Sequence, residues 1–315
     1  MPARFPLILA PTPHHRLNRL SDELGLDLWI KRDDLTGFAM GGNKGRKLEF
    51  LVGDWLERGI DTVVNCGSTE SNFVRHLAVA CDMAEIECHA VLMDQPYEEG
   101  FQAPKANRVG RGNARLNELS NLKVHAMPDG SWDDLFSAAN ELAASLVAEG
   151  KRVDNIPIGG SCALGAYAFF LAAQEIDGPD FIIHASSSGS TQVGLTMAYR
   201  GTGTRVIGIS CDPEPALIDD FLELSQGLSE LVGVPALARE EIDLRYDFVG
   251  AGYGVPSEEG ARAMQRMLTA EGIYLDPIYS AKAFAGLLAL SESELKGKRV
   301  TFWHTGGLPA LFAFP

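Results

Sequence analysis

The stretch IKRDDLTGFAMGGNKGRKLEFL, residues 30–51, decides how this chain is read. It sets three cations, Lys44, Arg46 and Lys47, within four residues, directly after paired glycines and at the start of a segment with helical period. A nucleotide P-loop, G-x4-G-K-[ST], would need lysine at 43 and a hydroxyl at 44; the chain has Asn43 and Lys44. The spacing fails and no hydroxyl is placed for magnesium, so ATP is a poor fit. A second chemistry suits the segment better. A lysine held by a glycine turn against a helix start is partly desolvated, and Arg46 and Lys47 would crowd it with positive charge. Both effects favour the neutral amine, a nucleophile that forms Schiff bases. On spacing alone the plainer reading, a cationic first helical turn, would stand.

These cations sit in an acidic chain. With 315 residues and a formal net charge of −15 it has room for about two domains, and it lacks the basic footprint of a nucleic-acid binder. Hydrophobic residues make up 46%, yet no run of about 18 apolar residues could span a membrane. The start, MPARFPLILAPTPHHRL, is broken by four prolines and reads as mature sequence rather than a leader. Cys66, Cys81, Cys88, Cys162 and Cys211 form no CxxC pair and no zinc spacing, which fits reduced thiols in a cytoplasm. Cys66 alone stands at a strand end beside a candidate site.

Strand-like runs at 61–67, 88–93, 123–127, 181–187, 205–211 and 300–306 alternate with helical periods at 44–58, 70–84, 133–149, 162–176, 191–200, 214–231, 257–271 and 280–290. That alternation predicts an α/β protein with parallel sheets. Three strands end in Gly- and Ser-rich turns, CGSTESN (66–72), ASSSGSTQ (185–192) and HTGGLP (304–309), where helix N-termini offer free N–H groups to a ligand. The connection 94–118 reads as a solvated surface excursion. A lysine amine suited to an aldehyde and a Ser/Gly/Thr loop suited to a phosphate together match the needs of pyridoxal phosphate.

The motif IKRDDLTGFAMGGNKGRKLEFL closely resembles the entry motif of the D-cysteine desulfhydrase / 1-aminocyclopropane-1-carboxylate deaminase family. The likeness continues in order through DTVVNCGSTESN, YGVPSEEG, IYLDPIYSAKAFAGL and HTGGLPALFAF, nearly the whole chain. The resemblance implies a pyridoxal-phosphate enzyme with the two-domain, three-layer parallel-sheet fold of the tryptophan synthase β-subunit (fold type II). Residues 1–52 and 165–315 would form the large domain and 53–164 a smaller inserted one. It further implies that Lys44 joins the cofactor and carries the Cα proton, with Lys47 as electrostatic support. Asn72 would bond the cofactor's 3′-oxygen, and Ser71 would meet the substrate carboxylate or hand over a proton. Ser188, Gly189, Ser190 and Thr191 would hold the phosphate, Thr305 and Gly306 would border the cofactor, and Tyr253 and Tyr279 would line the substrate side. Ser280 would face the pyridine nitrogen, where ring-opening deaminases carry glutamate. A hydroxyl cannot pair with a pyridinium, so this position leans toward α,β-elimination.

Plainer readings stand beside these. Ser71 and Asn72 could cap a helix, the tyrosines could be core aromatics, and the serine loop an empty turn. The family's QSNH is ESNF here, so Glu70 and Phe73 place a charge and an apolar ring next to Ser71 and Asn72. Both could face substrate or turn into the core or rim. Ser187 and Ser190 stand where relatives are often glycine. His14 and His15 read as surface, His76, His89, His125 and His184 show no metal spacing, and His304 could orient the HTGG turn. The expected activity is release of a 2-oxo acid and ammonia from a small amino acid by a cytoplasmic homodimer with no metal. Ring opening, another pyridoxal-phosphate reaction and a degenerate binder are the alternatives.

Overall fold

Parallel strands need long crossovers and cover on both faces. The computed structural model, which describes residues 1–97 and 108–314, meets this need with two sheets. The chain opens with β1 (His14–Arg16), α1 (Asn18–Leu24) and β2 (Asp27–Arg32), and the glycine–lysine motif leads into α2 (Lys44–Arg58). Next come β3 (Thr62–Ser68), α3 (Asn72–Ala84), β4 (Glu87–Met93), α4 (Asn113–Asn117), β5 (Lys123–Ala126), α5 (Trp132–Ala148) and β6 (Val153–Asn155). After α6 (Ala163–Ala172) and β7 (Phe181–Ser186) follow α7 (Ser190–Tyr199), β8 (Arg205–Ser210), α8 (Leu217–Val232) and β9 (Asp243–Arg245). Then come α9 (Glu258–Glu271), α10 (Ser280–Leu290) and β10 (Arg299–His304), followed by a short 3-10 helix, Leu308–Phe312.

The four-stranded sheet, order β5-β4-β3-β6, is wholly parallel. Strand alternation sends Val63 toward Trp55, Phe73 and Leu77 on α2 and α3, and Val64 toward Leu135 and Ala139 on α5. The larger sheet, order β1-β2-β10-β7-β8-β9, is parallel except for β1. Its strand β10 inserts between β2 and β7, so chain start and chain end share one sheet. Leu20, Met267 and Phe284 cover one face, and Phe169 and Leu195 the other. Full burial of a side chain such as Phe284 is worth about 1.5–3 kcal/mol.

Every strand and helix expected from the sequence is present, with ends displaced by about a turn at most. The elements not foreseen are short or disguised. In β2 the buried Lys31 interrupts the apolar pattern, its amine neutralised by Glu175 at 2.5 Å. His14 belongs to β1 and bonds Thr301 Oγ1 at 3.2 Å rather than lying free on the surface. Of the connection 94–118, residues 98–107 lie outside the described residues. Its far end departs from a solvated excursion, because Gly112, Asn113 and Asn117 are buried.

Candidate functional site

The turns after β2, β3, β7 and β10 converge on one cleft at the carboxyl ends of the parallel strands. Its space, open mouth included, is about 860 Å³. The glycines before Lys44 let the chain fold back on itself. Gly41 has a φ of +75°, and a Cβ there would stand 1.8 Å from the Asp34 carbonyl oxygen. Gly42 N–H donates to Asp33 O at 2.8 Å and Asn43 N–H to Thr305 O at 2.9 Å, which delivers Lys44 as the first residue of α2.

Burial brings the Lys44 ammonium down from 10.5 to about 8, and the positive charge of Arg75 acts in the same direction. Arg46 is not the neighbour that does this, contrary to the expectation from sequence. Two residues along a helix is a rotation of about 200°, so Arg46 faces away. Its guanidinium lies in a buried network with Asp33 (2.7 Å) and Glu175 (2.6 Å). Lys47, three residues on, does share the face of Lys44. Burial first, then the charge of Lys44, holds its amine well below the ordinary range, and its Nζ donates to Gly159 O at 2.8 Å.

Across the cleft, α7 begins with its N–H groups open. Its first backbone bond runs from Val193 N to Gly189 O, so the N–H groups of Ser190, Thr191 and Gln192 have no acceptor inside the helix. Gly189 makes the turn at a φ of +98°, and a Cβ there would meet the Phe221 ring at 2.4 Å. Ser161 Oγ donates to Ser188 Oγ at 2.7 Å and lies 3.2 Å from Ser190 Oγ. Ser186, also on the cleft, has a buried Oγ with no partner among the described residues.

The remaining walls come from both sheets. Ser71 caps α3, its Oγ accepting from Val74 N at 3.3 Å, and it lines the cleft as well. Asn72 Oδ1 accepts from Arg75 Nη1 at 2.9 Å and Asn113 Nδ2 at 3.0 Å. Tyr253 and Tyr279 share a hydrogen bond between their hydroxyls at 2.8 Å, and Trp132 stands edge-on to Tyr253. Burial pushes the Tyr253 phenol up to about 12 and Tyr279 well above its usual range, so both stay protonated near neutrality. Thr305 and Gly306 form the turn after β10; Gly306 N–H donates to His304 Nδ1 at 3.2 Å, and the other ring nitrogen meets Tyr274 O at 2.8 Å.

Among the expected site residues, Ser280 alone stands outside the cleft lining, one residue behind Tyr279. Its hydroxyl donates to Asp276 Oδ2 at 2.5 Å, and that carboxylate also accepts the N–H groups of Ile278, Tyr279 and Ser280. Phe73 borders the cleft but packs into the core. Glu70 turns away to accept Asn113 N–H at 2.6 Å. Cys66 lines the cleft as a thiol pushed up to about 12 by burial, no thiolate nucleophile. Asn43, Arg75, His76, Trp132 and Gly159 were not singled out from sequence as lining residues. Only Asn43 carried a local signal, as the residue before the reactive lysine. Among the described residues no group of three His, Cys, Asp or Glu could hold a metal, and no helix is long and apolar enough to cross a membrane.

A cleft with a lysine amine near neutrality on one side and an open helix N-terminus on the other defines a site for an anionic aldehyde cofactor. The family model for pyridoxal-phosphate dependent enzymes matches residues 6–306. The chain is 38% identical over 326 residues to a D-cysteine desulfhydrase of Klebsiella pneumoniae subsp. pneumoniae, covering 99% of this chain and 97% of that one. It is 37% identical over 330 residues to a D-cysteine desulfhydrase of Salmonella newport, with the same coverage. The crystal structure of an ACC deaminase homologue superposes with a TM-score of 0.88 at 32% identity, over 99% of this chain and 94% of that one. The chain belongs to the family of pyridoxal-phosphate dependent enzymes, with the fold of type II expected from its sequence. The cleft fits that cofactor. The orphaned Ser186 hydroxyl and the α7 N–H groups suit a phosphate, and the Lys44 amine suits an aldehyde.

Proposed function

We propose that the protein catalyses α,β-elimination on a small amino acid carrying a β-leaving group, in the manner of a D-cysteine desulfhydrase, releasing a 2-oxo acid and ammonia. Bound pyridoxal phosphate supplies an electron-withdrawing ring that takes up the charge left at Cα. In this reading Lys44 reaches the aldehyde and moves the Cα proton, while Ser188, Gly189, Ser190 and Thr191 hold the phosphate and Lys47 adds nearby charge. Asn72 directs its amide toward the cofactor, Thr305 and Gly306 border it, and Ser71 faces the substrate carboxylate. Tyr253 and Tyr279 stand where the β-substituent would leave.

The observation that carries the reading is the tyrosine pair. Two protonated hydroxyls joined at 2.8 Å share the cleft with a lysine amine near neutrality. One side can take a proton while the other gives one to a departing thiolate. The hydroxyl at Ser280, in place of a carboxylate, favours elimination over ring opening. Its proton is committed to Asp276 Oδ2, and a neutral hydroxyl has no charge to pair with a pyridinium. We also infer a cytoplasmic homodimer, a reading that the five free cysteines support as to compartment. We further propose that 53–164 closes on the body formed by 1–52 and 165–315, excluding water from the cleft.

The test is a panel of D- and L-cysteine, β-chloroalanine of both hands and 1-aminocyclopropane-1-carboxylate, with 2-oxo acid, ammonia and sulfide measured. Pyruvate and sulfide from D-cysteine support the proposal. A 2-oxo acid from the cyclopropane alone would replace elimination with ring opening.

A further inference from the structure

Arg75 is buried (2% exposed), and among the described residues no carboxylate pairs with it. A guanidinium withdrawn from water ordinarily has an anion beside it, because an uncompensated buried charge is costly. Here every partner is neutral. One terminal nitrogen, Nη1, donates to Asn72 Oδ1 at 2.9 Å and to Asn113 Oδ1. The other, Nη2, donates to Gly41 O at 3.1 Å and lies 3.1 Å from His76 Nδ1. The Nε–H has no partner among the described residues. Burial, with the charge of Arg75 next, keeps His76 well below its usual range and so neutral.

The nearest acid, Glu70, is held apart from this charge. Its carboxylate accepts the Asn113 backbone N–H, while the Asn113 side chain donates to Glu70 O and Asn72 Oδ1 and accepts from Arg75. Asn113 is thus a spacer between cation and anion. Two donors also occupy Asn72 Oδ1, which leaves the Asn72 amide N–H groups as the end free to face the cleft. Arg75 itself borders the cleft that holds Lys44.

We propose that Arg75 is a positioning residue of the site: its fork turns the Asn72 amide into the cleft, and its unneutralised charge opposes a second positive charge on the Lys44 amine. The proposal rests on Lys44 being the cofactor lysine. Other groups facing Lys44 are accounted for. Asp276 and Cys211 favour the charged amine, and Cys211 is a thiol pushed up to about 12 by burial. Lys47 on the same helix, His76 on α3 and His184 on β7 are each lowered by burial first. Arg75 is the cation of the set that holds its charge through the Lys44 midpoint: burial brings its guanidinium down, but only to about 9.

The experiment follows covalent capture of pyridoxal phosphate by the apoprotein as a function of pH, read by visible absorbance. Wild-type protein, Arg75→Gln and Arg75→Lys are compared, with folding checked by circular dichroism. Wild-type capture should show a midpoint near 8. Removing the charge in Arg75→Gln should raise that midpoint by about one pH unit and slow capture at pH 7 about tenfold. Arg75→Lys loses the fork and puts an amine, which burial deprotonates readily, in place of the guanidinium, so its midpoint should rise as in Arg75→Gln while cofactor affinity falls about tenfold. A folded Arg75→Gln with the wild-type midpoint overturns the proposal. If Arg75→Gln does not fold, an unchanged midpoint or undiminished affinity in Arg75→Lys overturns it. Failure of the wild-type protein to capture the cofactor would instead reject Lys44 as its lysine.

Discussion

Asn43 Nδ2 donates to Thr191 Oγ1 at 3.2 Å, joining residues 148 apart in sequence. Because Asn43 N–H also donates to Thr305 O, the residue before Lys44 latches three turns from α2, α7 and β10. The amine and the α7 N-terminus therefore keep a fixed separation. Asn43→Ala loses the side-chain bond and keeps the backbone one. Such a bond is worth about 0.5–1.5 kcal/mol, so apoprotein affinity for pyridoxal phosphate should fall about three- to tenfold in a fluorescence titration.

Tyr279→Phe removes one hydroxyl of the pair and little volume. Tyr253 keeps its own hydroxyl but loses the partner at 2.8 Å. Turnover should drop roughly hundredfold, with cofactor affinity unchanged. Steady-state kinetics beside a cofactor titration separates the two effects; equal loss in both would make the pair structural.

Burial of Lys44 also sets the sign of a pH effect on apoprotein stability. Its folded value, about 8, lies below the 10.5 of an exposed lysine, so between these values the unfolded chain binds more protons. Stability from this group rises with pH across that window and is lost as pH falls through about 8. The gap corresponds to on the order of 3 kcal/mol. Lys44→Met should therefore be more stable than wild-type apoprotein at pH 7, with the advantage shrinking toward pH 10. Urea denaturation at the two pH values measures it.

Arg46 belongs to a different structure from Lys44 despite standing two residues away. Burial opposes the charge of Glu175, but Arg46 and Lys31 outweigh it and bring that carboxyl to about 2. Arg46→Met leaves Asp33 and Glu175 without their main cation and should cost about 3–5 kcal/mol in urea denaturation. The capture midpoint of Lys44 should stay near 8.

The contrast between these cations marks what was legible in the sequence. Strand and helix positions, the glycine–lysine turn and the serine loop were readable because each depends on local period or a local turn. Arg46 was misassigned because adjacency in sequence is not adjacency on a helix. By sequence Glu70 could face substrate or turn into the core or rim; its carboxylate is claimed by Asn113, 43 residues on. Arg75 and Asn113 gave no signal, because an arginine on a helix reads as solvent-facing. Its burial depends on Gly41 and Asn113, which lie on other segments.

The most direct measurement is the site of cofactor attachment. Apoprotein is mixed with pyridoxal phosphate at pH 7.5, reduced with borohydride, digested and mapped by mass spectrometry. Among the described residues three other lysines are buried: Lys31 is held by Glu175, while Lys47 at Gly159 O and Lys282 at Gly252 O compete. Only Lys44 lies at a helix start facing the α7 N-terminus. Modification confined to the Lys44 peptide is the expected result. Attachment at Lys47 or Lys282, or none, would contradict it.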